Sequence, residues 1–316
     1  MKATIAILGG AMTPASGPFQ EAVEEAAKAG MELLKKGKMS VEAVIAAAHC
    51  TEDNPVLNCG TGSRLNMVGE AEMDACVMDG RDLNSGAVAC ITKVRNPICV
   101  AEKVMRETDH ILFVGEGAVK FARTMAFPEY DPVTPARRQE WEEIVGKIKR
   151  GEDLPDAYRR VLSYWKKMKR WVDEDTVGVV AIDREGNVAA ASSSGGGPMK
   201  MPGRVGDVPL IGCGIYADNR SGAAVFTGHG EVFCKHLGAK TVCDLMRKGT
   251  DAQDAADQFV EMLGNEAPGA VASLICIDRN GNVGGCRNVK ETPHVLIRED
   301  RQECIANFSK ILFNVK

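Results

Sequence analysis

The chain reads as α+β, a layered sandwich with strands in the middle and helices outside. Strand and helix signals alternate up to about residue 125, and from Thr176 onward the pattern becomes strongly β before helices return. Two hairpin signals, 182–188 and 277–283, also echo each other as Ile-Asp-Arg-x-Gly-Asn-Val, with Gly-Asn marking the same turn chemistry twice.

Thr4–Leu8 is a short β-rich run. Phe19, Val23, Ala26, Ala27, Met31 and Leu34 recur at helical spacing, and Gly37 closes that segment. Ser40 is placed to cap a second helix over 41–49. Residues 76–78 and 87–91 read as strands flanking the Asp79-Gly80 turn signal. Asn96-Pro97 supplies a cap and a first-turn proline for a helix ending near Glu107. A strand is expected over 110–114 and a helix over 116–124.

Residues 126–175 differ in character. Pro128, Pro132, Pro135 and Pro155 lie among dense charge, and all three tryptophans, Trp141, Trp165 and Trp171, fall here. Trp141, Ile144, Val145 and Ile148 share a helical face, as do Tyr158, Val161, Leu162, Trp165 and Met168. The segment therefore reads as a connector with two amphipathic helices. Its basic end, 166–170, is offset by Asp173, Glu174 and Asp175, which favours a solvated helix face over nucleic-acid contact.

Beyond it, strands are expected over 176–182, 188–193, 210–216 and 223–226. Helices follow at 231–248 and 251–263, and strands at 271–277 and 294–297 close the set.

Composition narrows the function classes. The 316 residues are 45% hydrophobic and 26% charged, with a net charge of -4, so nothing global points to nucleic acid or an anionic membrane as partner. The apolar run after Lys2 ends at Gly9-Gly10, shorter than a signal-peptide core or a membrane span, and the reading is a cytoplasmic protein. The eleven cysteines contain no C-x-x-C pair and mostly sit in apolar runs, as buried reduced thiols would. There is no H-E-x-x-H and no carboxylate cluster at metal spacing.

Five local features carry chemistry. Asp175-Thr176-Val177-Gly178 sets a hydroxyl at the entry of an apolar strand, and Ser192-Ser193-Ser194-Gly195-Gly196-Gly197 ends another strand with hydroxyls and permissive backbone. Arg204-Val205-Gly206-Asp207 holds opposite charges three residues apart. Thr227-Gly228-His229-Gly230-Glu231 joins a hydroxyl to glycines before a helix, and Leu57-Asn58-Cys59-Gly60 ends a turn-rich stretch. Singly, each reads as ordinary strand, loop or surface ion pair.

Together, in this order and at these intervals, they resemble the N-terminal-nucleophile asparaginase family, which spans plant-type L-asparaginase/isoaspartyl peptidases, glycosylasparaginases and a threonine endopeptidase branch. Glu72 to Gly80, Ser85-Gly86-Ala87-Val88-Ala89 and Val114-Gly115-Glu116-Gly117-Ala118 extend the likeness over the N-terminal half. The resemblance implies a four-layer αββα sandwich, made of a 1–175 part that includes the 126–175 connector and an intertwined 176–316 part. It implies a chain cut between Asp175 and Thr176, a homodimer of cleaved protomers and a structural Na+ held by carbonyls in the 51–58 loop. No organic cofactor is needed.

The physics agrees with what the resemblance implies. A threonine hydroxyl needs an adjacent base, and a free α-amine titrating near ~7.7–8.0 can serve at neutral pH. Base and nucleophile coincide only at a chain terminus. Position by position, the resemblance makes Thr176 nucleophile and base, and Ser194 the hydroxyl that hydrogen-bonds it. Thr227 and Gly228 become the oxyanion hole. Arg204 grips the substrate α-carboxylate, Asp207 its α-ammonium, and Asn58 borders the nucleophile. His229 is left a structural place, and Glu231 favours the N-terminus of its helix.

Asp175 before the nucleophile, and Gly284-Gly285-Cys286-Arg287-Asn288 near the end, lean toward the glycosylasparaginase branch. The stretch 51–58 and Thr227-Gly228-His229-Gly230-Glu231 lean toward isoaspartyl peptidases. The first expectation is thus release of aspartate from asparagine or isoaspartyl dipeptides, with glycosylasparaginase as the alternative. An endopeptidase or an uncleaved scaffold without turnover comes behind both.

Overall fold

A computed structural model describes residues 1–11, 13–152, 176–300, 305–306 and 310–311. Asp175, Cys304 and the second connector helix expected over 158–168, with Trp165 and Trp171, lie outside the described residues.

Two sheets stack with helices on both outer sides. The larger has eight strands in the order β12 (Ile305–Ala306), β11 (His294–Arg298), β1 (Thr4–Leu8), β5 (Thr176–Ile182), β6 (Val188–Ser194), β2 (Met73–Asp79), β3 (Ser85–Ile91) and β4 (Leu112–Val114). The smaller has five, in the order β13 (Lys310–Ile311), β10 (Val283–Arg287), β9 (Ala272–Asp278), β8 (Gly222–Gly228) and β7 (Ile215–Asp218). Strands β5 and β6, from beyond the connector, lie between β1 and β2 from before it.

Strand alternation divides the apolar residues between layers. Val177, Val179 and Ala181 of β5 face outward and pack with Val23, Ala27 and Met31 of α1 (Gly17–Lys35), Val44 and Ala48 of α2 (Ser40–Asp53), and Ile98 and Val104 of α3 (Pro97–Glu107). Val180 and Ile182 face inward and meet Val225 of β8 with Ile275 and Ile277 of β9. On the far side, Phe226 and Leu274 pack against α7 (Gly238–Arg247) and α8 (Ala252–Glu266) through Val242, Cys243 and Phe259. Because β5, β8 and β9 bury both faces, they read as near-continuous apolar runs. The result is the four-layer αββα sandwich.

Several local expectations need correction. Ser40 is the first residue of α2 rather than its cap: Met39 holds the cap position, its N–H donates to Glu42 Oε2 at 3.0 Å, and Ser40 N–H goes to Asp183 Oδ2 at 3.2 Å. The strand expected over 210–216 is confined to its last two residues and runs on as β7. Before it, Cys213 N–H bonds Leu210 O, and Gly212, with φ +91°, bonds Ile215 O, so turns replace a ladder. The helix expected over 231–248 breaks at Leu237, whose φ of +47° separates α6 (Gly230–His236) from α7.

The first connector helix forms as α5 (Pro135–Arg150), capped by the Thr134 hydroxyl and closed by Gly151. It buries Ile144, Val145 and Ile148 against Met199, with Trp141 and Met67 at the margin. A helix between α4 (Gly115–Thr124) and the nucleophile strand is thus docked on the loops beside the site. All ten described cysteines are free thiols.

Candidate active site

Register brings the site together at one end of the sandwich. Thr176 opens β5, Ser194 of β6 lies opposite it, and Asp74 of β2 lies opposite Ser194. All three share the parity of inward-facing Val180, Ala190 and Cys76, so this row looks into the space between the sheets. From the other sheet, Thr227 shares the parity of Ala223 and Val225 and looks back at it.

The contacts are direct. Thr176 Oγ1 donates to Ser194 Oγ at 3.3 Å, and Thr176 N donates to Thr227 Oγ1 at 3.2 Å. Ala11 N donates to the same Thr227 oxygen at 3.2 Å. A hydroxyl has two acceptor lone pairs and one proton, so with both lone pairs engaged the Thr227 O–H remains to donate. Gly196 N donates to Ser194 Oγ at 2.9 Å. Thr176, Ser194 and Thr227 are all buried, which strengthens each of these bonds.

Gly228 follows Thr227 with φ +132°, and a Cβ there would run into Val271 O. Asn58 is buried and pins the segment after Ser194: its Nδ2 donates to Gly196 O at 2.8 Å, and its own carbonyl accepts Gly195 N at 2.8 Å. Its Oδ1 accepts Arg64 N at 2.7 Å. His229 Nδ1 accepts Val271 N at 3.1 Å, a structural bond at the start of α6.

Arg204 and Asp207 form the polar side of the site. Arg204 Nε and Nη2 reach Glu231 Oε1 at 3.1 and 3.0 Å. Asp207 is buried, and among the described residues its Oδ2 has no hydrogen-bond partner. Burial pushes its carboxyl up to about 7; the Arg204 charge pulls down, while Glu231 and Asp74 push further up. A buried carboxylate oxygen with an unused lone pair is suited to a cationic donor.

Three acids of structural consequence at or near the site, Glu72, Asp74 and Glu52, escape sequence reasoning, and a fourth, Glu231, has a contact beyond its expected place. Glu231 lies in the first turn of α6, as expected, but also pairs with Arg204. Glu72 and Asp74 bind the backbone on either side of Arg204. Glu52, fully buried in α2, accepts Ser193 Oγ at 2.6 Å and Ile98 N at 2.9 Å through Oε1. The available signal was an acid at an inward position of an apolar strand, as at Asp74, where an unpaired charge is rarely tolerated.

Among the described residues, no group of three or more His, Cys, Asp or Glu is placed to hold a metal ion. The loop after α2 turns on Gly60 and Gly62, with φ +49° and +100°. The chain packs closely on itself there: a Cβ on Gly60 would run into Glu52 O, which accepts Thr61 N at 2.7 Å, and one on Gly62 would run into Pro55 O.

Comparison with known proteins gives a consistent picture. The family model described as "Asparaginase" matches residues 1–305. The chain is 46% identical over 289 residues to the plant-type L-asparaginase of Pyrococcus abyssi, covering 90% of this chain and 91% of that protein. It is 39% identical over 293 residues to the isoaspartyl peptidase of Salmonella typhimurium, covering 89% and 91%. To the isoaspartyl peptidase/L-asparaginase of Danio rerio it is 40% identical over 262 residues, covering 82% and 79%. With a threonine opening β5 between two facing hydroxyls and a matching family model over nearly its whole length, the chain belongs to the plant-type asparaginase family of N-terminal-nucleophile hydrolases.

Proposed function

We propose that this protein cleaves itself before Thr176 and then hydrolyses β-aspartyl amides, L-asparagine and isoaspartyl dipeptides, releasing L-aspartate. The observation that carries the reading is the double engagement of one buried residue: Thr176 offers its hydroxyl to Ser194 and its nitrogen to Thr227.

In the uncut chain that nitrogen belongs to the 175–176 peptide. Thr176 Oγ bonds to the Asp175 carbonyl carbon as the C–N bond breaks, and the hydroxyl proton passes to nitrogen. Water then opens the ester, leaving a carboxylate on Asp175 and restoring the hydroxyl. The freed amine, with a pKa near ~7.7–8.0, becomes the base for that hydroxyl.

Turnover reuses the same parts. Arg204 takes the substrate α-carboxylate and Asp207 its α-ammonium, which would satisfy Oδ2. Thr176 Oγ adds to the side-chain carbonyl, and the developing oxyanion lies toward the Thr227 O–H and Gly228 N–H. Collapse expels ammonia or an amino acid, protonated by the Thr176 ammonium, and water releases aspartate. Ser194 orients the nucleophile, while Asn58 holds the strand end that carries Ser194.

An endopeptidase substrate has no free α-amine and would leave Asp207 Oδ2 unpaired, so small β-aspartyl amides are favoured. Glycosylasparagine presents the same α-groups, but no observed contact favours it. A structural Na+ held by carbonyls of the 51–58 loop, as the family resemblance implies, would rigidify the Asn58 loop and take no part in the chemistry. Exposed Ile111, Leu112 and Val114 along edge strand β4 support a homodimer. Ten free thiols support a reducing, cytoplasmic location. No helix among the described residues is long and apolar enough to cross a membrane.

The test is intact mass of fresh protein followed over days at pH 7–8, beside Thr176→Ala, with aspartate release assayed on both. Two fragments meeting at 175/176 and turnover, both lost in the variant, are expected. An intact chain with no aspartate from any β-aspartyl amide would overturn the reading.

A further inference from the structure

Arg204 and Asp207 sit on a segment that has turn bonds of its own, Arg204 N to Met201 O at 3.0 Å and Leu210 N to Asp207 O at 3.1 Å, but is also anchored from outside. Gly203, just before it, has φ +81°, and both sides of Arg204 are tied to the β2 region by backbone N–H groups pointing at carboxylates. Gly203 N reaches both oxygens of Glu72, each at 3.1 Å. Gly206 N donates to Asp74 Oδ2 at 3.2 Å. The other Asp74 oxygen accepts Cys90 N at 2.8 Å, and the Cys90 thiol reaches Arg204 O at 3.5 Å. Cys90 has φ +49°, inside the irregular β2–β3 pairing, which turns its N–H toward Asp74. Lys200 Nζ donates to Glu72 O at 2.7 Å and anchors the same loop one step earlier.

Asp74 lies beyond Ser194 in register, one strand further from Thr176, and its two oxygens are directed at backbone amides. We propose that Glu72 and Asp74 are positioning residues that set the spacing and aim of Arg204 and Asp207. They would thereby fix affinity for the α-amino-acid end of the substrate without entering the cleavage before Thr176. The proposal rests on the reading of Arg204 and Asp207 as the substrate grip.

The chemistry predicts a graded result. Asp74 receives two N–H donors on two oxygens. In Asp74→Asn one of these atoms becomes an NH2, so one amide must face a donor whichever way the side chain turns. Glu72 receives a single N–H, which the remaining oxygen of Glu72→Gln can still accept. Displacing a binding group by about 1 Å is enough to cost on the order of a hundredfold in rate.

The experiment follows self-cleavage by mass and asparagine hydrolysis by initial rates, for both variants in the parent and in an Arg204→Met background. Asp74→Asn should cleave before Thr176 at close to the parental rate yet raise KM about tenfold or more, with kcat changed far less. Glu72→Gln should shift KM by less than about threefold. In the Arg204→Met background the Asp74→Asn effect on kcat/KM should shrink to the part that acts through Asp207. Unchanged KM in Asp74→Asn, or an equal effect in both backgrounds, would overturn the proposal and leave the hydrolase intact. Should Asp74→Asn not fold, Glu72→Ala removes the Gly203 acceptor and must raise KM; an unchanged KM there overturns it equally. A parent that turns over no β-aspartyl amide removes the proposed function and this proposal with it.

Discussion

Arg204 and Glu231 are joined through a single carboxylate oxygen, with Nε and Nη2 of the guanidinium both reaching Glu231 Oε1 at 3.1 and 3.0 Å. The Arg204 side chain is 7% exposed and that of Glu231 50%, so a built-in cation meets a carboxylate at the mouth of the site. An incoming α-carboxylate finds its guanidinium already engaged. Since half-exposed ion pairs contribute little net energy, Glu231 is a weak competitor rather than a lock. Glu231→Gln should therefore lower KM for asparagine, by about threefold. Initial-rate kinetics decide this: a higher KM would mean that Glu231 is needed to aim Arg204.

Asp207 makes a pH prediction with a definite sign. Burial first, with Glu231 and Asp74 adding and Arg204 opposing, brings its carboxyl up to about 7, and only the ionised form pairs with an α-ammonium. In free enzyme, kcat/KM should fall as pH drops below about 7, superimposed on loss of the neutral Thr176 amine. Bound substrate supplies the missing cation, so kcat should show the amine limb alone. Because Glu231 raises the Asp207 value, Glu231→Gln should move the Asp207 limb to lower pH. Parallel pH profiles of kcat and kcat/KM, identical in the variant, would refute the assignment.

Much of this site was legible in the sequence because hydroxyls, glycines and an Arg/Asp pair had to recur in a fixed order on successive strands. Thr176 and Ser194 meet through strand register, and Thr227 joins them by the stacking of the second sheet. What stayed hidden depends on contacts between segments far apart in the chain. Nothing local says that Asp74 reaches Gly206, 132 residues on, or that Glu52 reaches Ser193, 141 residues on. Local rules also misread Ser40, whose N–H serves Asp183. The run 210–216 looked like a strand until Gly212 and Gly214 were used for turns around Asp207: Gly214 N bonds Asp207 O at 3.2 Å.

Gly228 tests the oxyanion hole. Its φ of +132° lies where side chains are strained, and an added Cβ would overlap Val271 O on β9's approach. Gly228→Ala should turn its N–H away from the reacting carbonyl, lowering kcat by about 10²–10³, while KM, set by Arg204 and Asp207, moves much less. Self-cleavage should slow as well if the same hole serves it. Steady-state kinetics with a cleavage time course would show this, and near-parental kcat in a folded variant would exclude the Gly228 N–H from the hole.

Glu52 offers a test in stability rather than turnover. Burial lifts its carboxyl to about 8, against weaker lowering by the bonds from Ser193 and Ile98 and by Asn96, with Asp53 pushing up. It is therefore mostly protonated at neutral pH. Both donors go to Oε1, and Oε2 is buried without a hydrogen-bond partner among the described residues. A group whose folded value is raised binds its proton more tightly in the folded state. Its stabilisation is present below the unfolded value of 4.5 and lost as pH climbs through about 8. Glutamine reproduces the neutral form, with Oε1 still accepting both bonds and an NH2 in place of the acid O–H. Glu52→Gln should leave Tm nearly unchanged at pH 4 and raise it progressively as pH climbs from 4.5 to about 8, beyond which the parent is penalised by at most about 5 kcal/mol. Thermal melts across pH 4–9 would reveal the divergence, and curves that run parallel throughout would mean Glu52 is ionised in the folded protein.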